Sequence, residues 1–117
     1  MKYMLLMYAS PADAPAYTPE EQQTAMQAWF EYMKEAKAAG VLVSNEGLAP
    51  GTTATTVRVR NGKTLTADGP FAETHEQLGG FSVLDCQDLD EAIRWAAKIP
   101  TAQYGLVEVR PLWSPQA

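Results

Sequence analysis

The chain has 117 residues, 46% hydrophobic and 20% charged, which is the composition of one globular domain with a single core. Nine Lys and Arg against fourteen Asp and Glu give a net charge of -5, so the clustered cations that nucleic-acid binding needs are lacking. With one Cys, one His and no apolar stretch long enough to span a bilayer, the expectations are no disulfide, no metal, no cofactor, no membrane and a reducing, cytoplasmic setting.

Met1 to Tyr8 is too short for a signal peptide. Within it the apolar run Tyr3–Tyr8 predicts a central strand covered on both faces. A Pro- and Ala-rich loop follows, and Thr18-Pro19-Glu20-Glu21 opens a helix: Thr18 caps, Pro19 suits the first turn and Glu21 completes a capping box. Met26, Trp29, Phe30 and Met33 recur at helical spacing and predict the face buried against a sheet. Gly40 stops this helix in left-handed geometry.

Extended structure restarts at Val41-Leu42-Val43 and breaks at Pro50-Gly51. Thr55–Arg60 alternates, Asn61-Gly62 is a two-residue hairpin turn, and Lys63–Ala67 returns antiparallel. Gly80–Cys86 reads as another strand, with Cys86 as a half-buried small apolar residue. Asp88 caps a second helix with Glu91 reaching back, and Leu89, Ala92, Ile93, Ala96 and Ala97 form its predicted buried face. Pro100 ends it, and Tyr104–Arg110 is the last strand, with Val107 and Val109 toward the core.

Two strand-helix-strand units imply one α+β domain over residues 1–117, a ferredoxin-like sandwich with two helices on one face of a mostly antiparallel sheet. The other sheet face is left bare, and packing it against a second copy is the economical remedy.

Met1–Leu6, Gly40-Val41-Leu42, Thr55–Arg58, Asp68–Thr74, Gln77–Phe81 and Val107–Pro111 together resemble the DGPF-type branch of the YCII-related proteins. The resemblance spans nearly the whole chain, and the Asp68-Gly69-Pro70-Phe71 block is its most specific part. It implies a homodimer of ferredoxin-like subunits forming an α/β-barrel, in a family that is largely uncharacterised. It also implies a link to sigma factors, beside which some relatives are encoded, and a His-Asp pair as the active site proposed for the wider group. Asp68 lies in the matching block, whereas His75 stands where DGPF-type relatives often carry Lys.

The run from Asp68 to Phe81 gathers three carboxylates and the only histidine between two strands, more chemistry than a chain reversal needs. Asp68 has two readings. It can hold a turn in which Gly69 takes positive φ and Phe71 anchors the loop, or it can present a carboxylate as a general base. His75 is the side chain whose ordinary pKa suits proton transfer, and a solvated loop position is its bland alternative. Asp68 and His75 are the catalytic candidates, and Tyr8, Phe71, Glu73 and Gly79 the ligand-contact candidates. Gly79-Gly80 permits close backbone approach, either to a ligand or to a neighbouring strand.

The reading carried forward is binding of a small metabolite in a cavity near the Asp68–Phe71 loop, with or without cofactor-free acid/base chemistry. The alternative is a non-catalytic accessory protein that works through protein contacts alongside transcription regulators.

Overall fold

The computed structural model of the protein describes residues 1–12, 16–71 and 75–115. The main elements are β1 (Lys2–Ala9), α1 (Pro19–Ala38), β2 (Leu42–Gly47), β3 (Thr55–Arg60), β4 (Lys63–Asp68), β5 (Gln77–Asp85), α2 (Leu89–Ala97) and β6 (Leu106–Pro111). Four strands form one sheet in the order β2-β5-β1-β6, with every neighbouring pair antiparallel, while β3 and β4 make a separate hairpin. Two helices on one face of such a sheet make the expected ferredoxin-like α+β sandwich, with the hairpin set between its second and third core strands. Among the described residues no helix is long and apolar enough to cross a membrane.

Strand β1 is the centre of the sheet, as its continuous apolar run predicts. Alternation sends Tyr3, Leu5 and Met7 into the core, where they meet Leu84 of β5, Tyr32 and Ala36 of α1, and Ala92 and Ala96 of α2. Fully burying a side chain such as Leu5 or Ile99 stabilises the fold by about 1.5–3 kcal/mol each. Val107 and Val109 of β6 pack on this cluster, as expected. The opposite face is left bare within the chain, as expected: Met4, Leu6 and Phe81 are only half-buried there, because neither of the described helices covers them.

The capping box of α1 forms as predicted: the Glu21 amide donates to Thr18 Oγ1 and the Thr18 amide to Glu21 Oε1, each at 3.2 Å. Gly40 closes the helix at φ 75°. The helix presents a different inner face from the one expected. Its buried residues are Tyr32 and Ala36, with Trp29 and Met33 partly packed, while Met26 and Phe30 stay 59% and 61% exposed. The stripe is wider than the surface the sheet offers, so one side of it is left over.

In α2 the Asp88 cap receives the Glu91 amide at 2.9 Å, and the Glu91 carboxylate accepts from the Gln87 amide, one residue earlier than a capping box requires. Ala92 and Ala96 are buried with Trp95 beside them, whereas Leu89, Ile93 and Ala97 are exposed. Cys86 is more deeply buried than its strand context implies.

Asn61 and Gly62 take positive φ at the hairpin tip, as the predicted turn demands. Beyond it, Val57 and Val59 are about 60% exposed on the same hairpin face.

At the edge of the core, Gly105 lets the chain pass under the end of β1. A β-carbon there would stand 2.2 Å from the Tyr8 carbonyl oxygen and 3.1 Å from Ala9 Cα, both backbone atoms that cannot step aside. Gly105→Ala is therefore expected to destabilise the protein by about 1–3 kcal/mol, read as a lower urea midpoint at an unchanged slope.

Candidate functional site

The unburied part of the α1 stripe opens onto a cleft of about 840 Å³ between α1, the end of β2 with the segment after it, and the start of β5. Met26, Trp29, Phe30 and Met33 form its helical wall. Met7, Gly79 and Gly80 form part of its sheet side, and Ser10, Asn45, Gln77, Thr101 and Tyr104 supply polar groups. Apolar walls with a few convergent polar atoms are the usual make-up of a small-molecule site. A second recess, of about 660 Å³, lies between the first turns of α1 and the short 3₁₀ turn Pro100–Gln103, with Glu20, Glu21 and Lys98 on its walls.

The two adjacent glycines do different work. Gly80 answers the close approach of a neighbouring strand, since a β-carbon on it would meet the Glu46 carbonyl oxygen of β2 at 2.8 Å. Gly79 is open toward the cleft: its β-carbon would meet nothing nearer than the Met7 carbonyl oxygen at 3.9 Å. The Gly79 carbonyl also receives the Leu48 amide at 2.9 Å, tying the segment after β2 to the cleft wall.

Asn45 reaches the cleft through an irregularity in β2. Leu42 pairs with Leu84 but Ser44 pairs with Val83, so the pairing slips between them and Val43 bulges outward. The slip turns Asn45 to the helix side, opposite the fully buried Ser82. The Ser82 hydroxyl donates to Asn45 Oδ1, and Asn45 Nδ2 lies 3.8 Å from Met33 Sδ. Next to Ser82 the Tyr32 hydroxyl is buried, short of a well-formed hydrogen bond among the described residues.

Of the candidates from the sequence that lie among the described residues, Gly79 alone lines this cleft. Asp68 is exposed at the end of β4, and among the described residues it makes no hydrogen bond or ion pair with His75, which is also exposed. The turn after Asp68 is held by its neighbour: the Gly69 amide donates to the Ala54 carbonyl at 2.6 Å, and Thr56 Oγ1 donates to the Gly69 carbonyl at 2.8 Å. Gly69 takes φ 91°, as expected. Phe71 is 79% exposed and does not anchor the loop, because the turn hangs on these two bonds to Gly69. Tyr8 pairs with Leu78 and Leu106 and lies outside the cleft, although Met7 and Ala9 line it. Glu73 lies outside the described residues. The loop touches the cleft at one corner, where a β-carbon on Gly51 would stand 3.3 Å from Gln77 Oε1 and 4.0 Å from Pro70 Cγ.

Sequence reasoning missed the cleft's polar members. The excess width of the α1 stripe was the available signal for Met26 and Phe30. Asn45 had none, because a bulge reverses the alternation that would be read from β2.

A small ferredoxin-like domain with an apolar cleft beside its sheet edge is the class these observations define. The chain belongs to the YCII-related domain family, whose model matches residues 1–115. It is 40% identical over 114 residues to an uncharacterised protein of Rhizobium meliloti (strain 1021), covering 96% of this chain and 92% of that relative. Its fold is also similar to that of 5-chloro-2-hydroxyhydroquinone dehydrochlorinase (TftG) from Burkholderia phenoliruptrix AC1100, solved in complex with 2,5-dihydroxybenzoquinone. That match has a TM-score of 0.54 at 13% identity and covers 99% of this chain and 97% of the other, a likeness of fold alone.

Beneath the cleft, burial pushes the Tyr32 phenol up, with the neighbouring Ser82 hydroxyl opposing part of the rise. Burial also pushes the Cys86 thiol up from its ordinary 9.0, and the Glu91 and Asp85 carboxylates add to it. Both groups lose protons earlier in the unfolded chain than in the folded one, so folding stability falls as the pH climbs past these ordinary values. Urea midpoints measured between about pH 8 and about pH 11 should decline, and Cys86→Ala and Tyr32→Phe should each flatten that decline.

Proposed function

We propose that the protein binds a small, largely apolar metabolite in the cleft beside the Asp68–Phe71 loop. The observation that carries this reading is the helical wall: Met26 and Phe30 stay more than half exposed while they line a cleft of about 840 Å³. Leaving about 60% of two large apolar side chains in water forgoes about 1–2 kcal/mol each, part of which a bound apolar ligand would restore. TftG, a fold relative, was solved with a small cyclic quinone, which fits a fold that accommodates such molecules.

Asp68 and His75 are the groups that would handle protons if the ligand is turned over, with Tyr8, Phe71, Glu73 and Gly79 as its contacts. Asp68 suits that part because its exposed carboxylate is not committed to holding the turn. A second copy of the chain would complete the assembly by covering Met4, Leu6 and Phe81 on the open sheet face and the hairpin's exposed valines. The single thiol suits a reducing, cytoplasmic setting.

Phenol, 4-hydroxybenzoate and 2,5-dihydroxybenzoquinone, titrated while amide NMR signals are followed, test the cleft. Saturable shifts at Leu48 and Gly79 are expected for at least one of them. Gly79→Leu, which fills the cleft without a backbone clash, should weaken that binding about tenfold, or about 1.4 kcal/mol. Shifts elsewhere, or equal affinity in Gly79→Leu, would contradict the reading. Where turnover is found, Asp68→Asn should stop it at nearly unchanged melting temperature, and full activity in His75→Lys would remove the imidazole from the chemistry.

Sedimentation at micromolar concentration should give twice the chain mass, and a clean monomer would rule out the second copy.

A further inference from the structure

We propose that Asn45 selects the ligand, its Nδ2 donating to a neutral carbonyl oxygen on an otherwise apolar molecule. This inference rests on the cleft being the ligand site and names the chemistry it reads.

The amide is oriented before any ligand arrives. Ser82, fully buried on β5, donates to Asn45 Oδ1 and leaves Nδ2 on the side of Met33 and the cleft. The reverse orientation would set Oδ1 against a thioether that has no proton to give. Met33 Sδ at 3.8 Å is a weak acceptor, so Nδ2 enters the cleft as an under-used donor. A donor in an apolar recess gains most from an oxygen acceptor, because the alternative is loss of its hydration without replacement. Charge narrows the class further. The chain carries a net charge of -5, which disfavours a carboxylate and leaves a ketone-, ester- or quinone-type carbonyl.

Two probes of nearly equal shape separate the polar contact from simple burial: acetophenone, which has the carbonyl, and ethylbenzene, which lacks it. Their dissociation constants are measured by NMR titration of the full chain, and the ratio of the two is compared between wild type and variants. Asn45→Leu removes the donor. Asn45→Asp keeps the shape and the Ser82 contact while replacing the donor by a carboxylate, so it serves if the Leu variant does not fold. Either change should shift the ratio against acetophenone by about five- to tenfold. Ser82→Ala, which frees the amide to rotate, should shift it less in the same direction. Benzoate should bind wild type more weakly than acetophenone. An unchanged ratio in a folded variant that still binds both probes at Gly79 would overturn the role of Asn45 and leave the cleft reading intact. Failure of both probes to bind wild type would overturn the two together.

Discussion

The structure depends on one constraint: β1 must be satisfied on both edges and buried on one face at once. Its backbone bonds to β5 on one side and β6 on the other, and Tyr3, Leu5 and Met7 carry the seam on which both helices rest. Only a strand free of charges and turn-formers from Tyr3 to Tyr8 can occupy that place. The positions of the remaining elements follow from it. β5 and β6 run antiparallel beside β1, and β2 joins at the outer edge of β5.

The cleft is a by-product of the same arrangement. Four sheet strands offer more length than α1 and α2 can cover, and the shortfall falls where β1 ends, β5 begins and two glycines remove side chains from the sheet. Aromatic edge contacts between Trp29 and Tyr32 within α1, and between Tyr32 and Trp95, link α1 to α2. Stability and openness are therefore set by different residues of one helix: Tyr32 and Ala36 face the core, while Met26 and Phe30 face the gap.

Most of the fold was legible in the residues because its signals are local. Thr18-Pro19 with Glu21, Asp88, Gly40 and Asn61-Gly62 each specify a backbone geometry within a few positions, and each adopts it. The site was legible only in part, because its members depend on non-local events. Phe71 looked like an anchor, yet the Ala54 carbonyl and the Thr56 hydroxyl hold that turn at Gly69 and leave the ring exposed. The helical stripe was visible, but which of its sides meets the sheet depends on packing. Asn45 faces inward because β2 slips by one residue against β5, and periodicity carries no trace of such a slip.

The β3–β4 hairpin has a consequence of another kind. In the described structure it is a two-stranded ribbon outside the main sheet, so its outer edges offer unpaired amides and carbonyls to any passing strand. Arg58, Arg60 and Lys63 sit on one of its faces at the end nearest the turn, in a chain whose charge is otherwise acidic. Ribbons stacking in register would bring these cations together. The hairpin thus carries its own guard against fibrous aggregation, and neutralising the three side chains would expose the Val57–Val59 segment to edge-on polymerisation.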